Sequence, residues 1–567
     1  MTKFNKVSIL VVAAALAAAS ISSCVAVDSA VGEGFNQIEQ LFDVYRAEVE
    51  LKDIALKQTD SLSGYSTRRV TVGSLRDEKY GLTDKCSAFT LVPADDTLDF
   101  GTNTRYINFH VSMTKDTVSC SDNSQSDIIQ TLRIYALEDA GVTLDSNVVY
   151  TGDLKKSTFS GLKQVGRGYT VYDGGDSLSF DLTQEYGTKL LQRLVDNSTD
   201  GVMTIDTIPD FTNLFPGLFI SCDEPIGYGG RINMFLTKLS YDSDQYIDAN
   251  YATLKFKADY GERKDVDTSF LFLIGATDFA ESLSDMPDQY VFNSTEHENL
   301  AEELSKDGEH LYIEGGCGIK PVISSKEIRE AILADMAKNG ITDPTKAIIN
   351  KATLVLPFEE PENYLDFDKY PQKLCPTCRI RGTLTSTGEK YITYANITDA
   401  SISAEDQGEI NRSTCRYTPD ISYHAQKIIT LKDPTEKDFE KYNLWFLITY
   451  EEEEKVENTT TDESSSYLSQ LAYYSYLNSM YGGGYGYGSY YGGYSSYGGY
   501  GSYGYSNYYS MLAYYSMMSS YSSSSTTEYT EELDRDRFYD ARLNGPASSG
   551  EKPRIIVTYS VPKTLEN

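Results

Sequence analysis

Apolar and polar residues alternate in short runs along most of this chain. In Tyr106-Ile107-Asn108-Phe109-His110-Val111-Ser112-Met113 the apolar side chains fall on every second position. A period of two predicts a strand with Ile107, Phe109, Val111 and Met113 facing a core and His110 facing out. The same period recurs in TLRIYAL (131–137), TLKFKADY (253–260), TSFLFLIG (268–275), KATLVLPF (351–358), YITYANIT (391–398), LWFLITY (444–450) and RIIVTYSV (554–561). Short strands spread along the chain and joined by long polar connections predict a mainly β fold of two antiparallel β-sandwich, jelly-roll-like domains with a few short helices.

The helical period is rarer. Ser324 and Glu327 make a capping box ahead of Ile328, Ala331, Ile332 and Met336, and Gly340 supplies the stop. A second helix is expected over Gln184 to Val195, with Leu190, Leu191 and Leu194 on its buried side. At 567 residues the chain exceeds what one hydrophobic core serves. The polar, acidic stretch from Asp285 to Gly308, with a short helix expected at 295–305, marks the division. The expected organisation is a tether at 24–50, a first β domain at 51–290 and a second at 291–567.

The beginning of the chain, MTKFNKVSILVVAAALAAASISSC, has Lys3 and Lys6 ahead of an apolar run and then small residues, the plan of an export signal over residues 1–23. Ile21-Ser22-Ser23-Cys24 resembles a lipobox, which implies acylation of the Cys24 thiol and cleavage in front of it. Each buried acyl methylene contributes about 0.8 kcal/mol to membrane binding. The membrane, reached through this N-terminal lipid, is thus the first expected partner; an ordinary signal peptide that happens to end near Cys24 is the other reading. Loss of Lys3 and Lys6 takes the formal net charge from −33 to −35. So acidic a surface argues against nucleic acid, whose phosphates it repels, and against anionic lipid headgroups.

Candidate chemistry is sparse. His110, His297, His310 and His424 are the only histidines, and none sits in a nucleophile motif. Paired carboxylates of a glycan-active enzyme stay open, because their spacing is three-dimensional. Cys375-Pro-Thr-Cys378 has motif spacing and reads as a local disulfide or as buried thiols; a metal there would need Cys415 and His424 as well. Asp242-Ser243-Asp244 with Asp248 clusters carboxylates but lacks the turn glycine and terminal glutamate of a calcium loop, which favours a solvated acidic loop. No catalytic residue, metal or cofactor is expected.

The densest compositional signal lies late in the chain. Of 46 tyrosines, Tyr481, Tyr485, Tyr487, Tyr490, Tyr491, Tyr494, Tyr497, Tyr500, Tyr503 and Tyr505 fall within YGGGYGYGSYYGGYSSYGGYGSYGY (481–505). Near copies flank it, SQLAYYS (469–475) and SMLAYYS (510–516), each in a glycine-free run long enough for a helix. The expectation is a helical-hairpin arm over 458–530, inserted between late strands, with acidic runs EEEEKVE (451–457) and EELDRDR (531–537) at its base. Tyrosine brings a large flat surface and a hydroxyl at low side-chain entropy, and glycine and serine let the backbone adapt. Three readings stay open: a binding arm that uses these ten tyrosines, low complexity with no fixed partner, and aromatic packing onto the protein's own sandwich.

DSLSGYSTRRVTVGSLRDEKYGLT (60–83), FPGLFISCDEPIGYGGRINMF (215–235), LYIEGGCGIKPVI (311–323) and IINKATLVLPFE (348–359), in this order behind a lipobox, resemble a Bacteroidota lipoprotein family known as domain of unknown function 4270. The resemblance implies a β-rich envelope lipoprotein and brings no catalytic residues. It also prompts a test for that phylum's O-glycosylation motif, Asp followed by Ser or Thr and an apolar or small residue, to which Ser29, Ser61, Thr97, Thr117, Ser177 and Thr207 conform. Together these readings predict a non-catalytic lipoprotein of the outer membrane, on its surface or periplasmic face, that binds an outer-membrane β-barrel or other envelope protein through the arm. Binding of surface glycan is the alternative.

Overall fold

The structure, a computed structural model, describes residues 42–563 apart from 60–66, 79, 117–127, 145–153, 169, 240, 243–244, 247–249, 282–285, 299, 301–307, 384–389, 398–407, 457–525 and 535–536. It is mainly β, with antiparallel sheets and few helices. Two large hydrophobic cores organise it.

In the first core, one sheet runs in the order Gly229–Leu236, Arg69–Asp77, Gly81–Phe89, Leu218–Cys222, Gln130–Ala136, Thr170–Tyr172. A second sheet orders Ser177–Asp181, Thr102–Thr114, Tyr251–Tyr260, Arg263–Ile274, Leu91–Pro93. Val72, Phe109, Ile134, Leu254 and Phe272 meet between them, a sandwich in which alternate residues of each strand point inward. Ile107 departs from the expected alternation and is 43% exposed. The register explains it: Lys255 faces Asn108 and Phe256 faces Tyr106, so Ile107 is the extra residue of a bulge. Tyr106 packs against the core instead.

The second core lies between a sheet ordered Phe42–Glu50, Arg554–Pro562, Ile348–Pro357, Arg416–Tyr417, Ile410–Asn411 and another ordered Ile54–Gln58, Ile319–Ile323, Leu444–Val456, Lys373–Thr383, Lys390–Asn396. Helices Ser325–Lys338 and Ser422–Ile429 contribute Ile328, Ile332, Met336 and Ile428 to it.

Two expected boundaries move. Residues 42–50, taken as tether, form a strand paired along its length with Arg554–Pro562, from Phe42 opposite Pro562 to Glu50 opposite Arg554. Ile54–Gln58 pairs with Ile319–Ile323. The N-terminal stretch therefore completes both sheets of the second core, a pairing between chain ends that no local pattern announces. Thr295, Glu296 and His297 are not helical as expected; they end the strand Phe292–His297, which pairs with Gly81–Phe89 in the first core. The capping box at Ser324 is also half replaced. Ser324 accepts from the Glu327 N–H at 3.4 Å, but its own N–H donates to the Asp53 carbonyl at 3.3 Å. The Glu327 carboxylate is left to accept from the N–H groups of Lys52 and Asp53, at 2.5 and 2.8 Å, and so clamps the N-terminal segment to the helix.

Candidate functional site

One set of polar groups converges where the two cores meet. On the strand Gly81–Phe89, Cys86 and Ala88 point into a small apolar cluster, so Thr83, Lys85 and Ser87 point the other way, Thr83 onto His297, Lys85 onto Phe538 and Ser87 onto Thr71 and Asn293. Cross-strand from them stand His297, Thr295 and Asn293. The second core meets this face with Tyr312, Glu314 and the turn Gly315-Gly316-Cys317-Gly318, and with Arg537 and Phe538.

At one end of the contact His297 accepts or donates on both sides, with Nδ1 3.0 Å from Thr83 Oγ1 and Nε2 2.8 Å from Glu314 Oε2. Burial alone would push the Glu314 carboxyl up, but His297, Lys85 and the Ile319 N–H hold it well below the usual carboxylate range. Beside it, burial pushes the Lys320 ammonium down to about 8 against the attraction of Glu314. Lys320 Nζ donates to the Glu314 carbonyl and, at 3.1 Å, to that of Gly316. Thr59 ties the same turn from the other side, its hydroxyl 3.0 Å from the Gly318 carbonyl. The turn needs its glycines: Gly316 has φ 57°, and a Cβ on Gly315 would stand 2.2 Å from the Arg537 carbonyl.

Thr83, His297 and Glu314 have the order of a hydroxyl, base and acid relay. Thr83 is 3% exposed and the His297 side chain is entirely buried, so no substrate reaches the hydroxyl. The arrangement joins the two cores instead, with the Tyr80 ring tilted against His297 at 4.9 Å and edge-on to Tyr312 at 5.7 Å. Next to it opens a cleft lined by Thr71, Lys85, Asn293, Thr295, Cys317 and Arg537. It encloses ≈ 20 Å³, room for about one water and too little for an organic substrate. None of these groups stood out in the sequence; the usable signal was a run of charged residues around glycines in EGGCGIK (314–320) and a lysine amid small and apolar residues in DKCSAF (84–89).

The expected site residues fall elsewhere. Cys24, the ten tyrosines from Tyr481 to Tyr505, Ser29, Ser61 and Thr117 lie outside the described residues, as does most of the Asp242–Asp248 loop. Thr97, Ser177 and Thr207 are exposed. In the first two motifs the third residue, Leu98 or Leu178, is core, so the pattern is also what a strand entering a sheet requires. Thr207 caps the helix Ile208–Leu214 and its hydroxyl donates to Asp210 Oδ2 at 2.6 Å, which a glycan on that oxygen would displace. His110 sits on the exposed strand face, 2.7 Å from Asp181.

Cys375 and Cys378 are both buried thiols. Three residues apart on the strand Lys373–Thr383, they leave it on opposite faces, which excludes a disulfide between them. Cys378 Sγ is 3.9 Å from His424 Nδ1, whereas Cys415 lies in a loop with its thiol on the Arg412 carbonyl. Among the described residues no group of three His, Cys, Asp or Glu is placed to hold a metal.

The base of the expected arm is described. Leu444–Val456 pairs with Lys373–Thr383 only from Leu444 to Thr449, and from Thr449 to Val456 its partner is Thr526–Leu533. Residues 451–456 and 531–533 of the acidic runs, and residues 526–530 of the arm, are thus strands of a two-stranded ribbon. No family model, curated protein or solved structure matches this chain.

Proposed function

We propose that this protein is a non-catalytic, lipid-anchored component of a Bacteroidota outer membrane that contacts another envelope protein, such as a β-barrel, through its Tyr-rich segment. The ribbon is the observation that carries this reading. Past Thr449 its two strands pair, among the described residues, only with each other, so seven further residues at ~3.4 Å each carry the ribbon about 24 Å beyond the sheet, with Val456 opposite Thr526. A long excursion given its own two-stranded stalk is arranged for contact away from the sandwich, in preference to packing back on it. The burial of Thr83 and His297 supports a binding role over a hydrolytic one. Lipidation at Cys24 would leave residues 24–41 as a leash of at most about 60 Å between membrane and the first strand.

The test is a pull-down of the full chain from gently solubilised membranes beside a variant lacking residues 464–525. Retrieval of a stoichiometric membrane protein by the full chain and not by the variant is expected. The same partner set from both would end the arm reading. Saturable retention on polysaccharide, lost on changing Tyr485, Tyr490 and Tyr497 to Ala, would turn the proposal to glycan.

A further inference from the structure

Lys85 is anomalous. It is 5% exposed, yet among the described residues its ammonium has no hydrogen-bond or ion-pair partner; its close contact is the face of Phe538, 5.5 Å away. The carboxylate whose field it feels is Glu314, and Oε2 of that group already accepts from His297 and from the Ile319 N–H. An ammonium on a mostly buried side chain, with no acceptor among the described residues, leaves its donors open to whatever enters the cleft. Lys85 lines the cleft between the two cores together with Arg537, 3.7 Å from Asp534, and with Thr67, Thr71 and Thr295. In a chain of net charge −33, two cations at one opening form a local exception.

We infer that this cleft is a binding site for an oxyanion group, a carboxylate or phosphate, one oxygen of which enters to accept from Lys85. Its size sets the geometry: with space for about one oxygen, the rest of the ligand stays at the mouth beside Arg537 and the half-buried Cys317. Because the walls come from both cores, occupancy ties them together. This site is independent of the Tyr-rich segment and stands or falls separately from the contact proposed there.

The experiment uses the full chain, titrated with inorganic phosphate and with acetate at constant ionic strength and followed by calorimetry. Saturable binding of one equivalent of either anion is expected, weakened at least about tenfold by Lys85→Met and retained by Lys85→Arg. Without either anion, Lys85→Met should unfold at the same or a higher urea concentration than the parent, since it removes an unpaired charge. Absence of binding by both anions, or equal binding to Lys85→Met, would overturn the inference. So would a loss of stability in Lys85→Met, which would mean that the ammonium is paired within the chain. Phosphate without acetate would assign the site to phosphoryl groups, and acetate without phosphate to carboxylates.

Discussion

Two histidine side chains of this protein are fully buried, and they do opposite things. His297 sits between the two cores, with a hydroxyl on one ring nitrogen and a carboxylate on the other. His424 sits inside the second core against Cys378, Tyr442 and aliphatic neighbours, and burial pushes it down to about 4. Equal burial gives one histidine an ionic partner that bridges two halves of the fold and leaves the other a neutral filler. What separates them is the chemistry of the opposing surface, not exposure.

The sharpest way to break that contrast is Glu314→Ala. Removing one member of a buried pair leaves the others uncompensated and costs about 3–5 kcal/mol, read as a shift of the urea midpoint. A loss below about 1 kcal/mol would show that the contact is no stronger than a surface pair. His424 should respond to pH instead. Its folded pKa lies below the unfolded one, so its contribution is fully present above the unfolded value of 6.5 and lost as pH falls toward about 4. The expected loss is about 3 kcal/mol, absent from a His424→Gln protein that folds. Glu314 stays ionised across that window, so its contribution, present above the unfolded carboxyl value, fades only at much lower pH.

The thiols extend the comparison with a smaller effect. Cys378, beside His424, is fully buried, whereas Cys317, beside Glu314 on the cleft, is half-buried. Maleimide should modify Cys317 at least about 100-fold faster than Cys378, because the latter waits for the core to open. Equal rates, measured by peptide mass after timed labelling, would mean that the cleft is closed in solution.

Much of the fold could be read from alternation, since an antiparallel strand with one buried face prints its period on the sequence. The helix Gln184–Asp196 shows the same principle with a different period, burying Leu190, Leu191 and Leu194. Ile107 marks where this fails: a bulge inserts one residue and inverts the face, and nothing in IleAsnPhe records it. The candidate site was far less legible. Lys85 and Thr295 are 210 positions apart, and Glu314 meets His297 only because a turn of glycines brings a second-core strand against the first core.

By itself the sequence determined the class of the molecule: a mainly β chain, its few helices, and a strongly acidic exterior, all properties summed over local composition and period. Tertiary structure decided which core owns residues 42–58, that the Cys378 thiol lies against His424, and where Lys85 meets a cleft. Those outcomes depend on which strands pair, and pairing joins positions as distant as Phe42 and Pro562 through backbone groups that every residue carries alike.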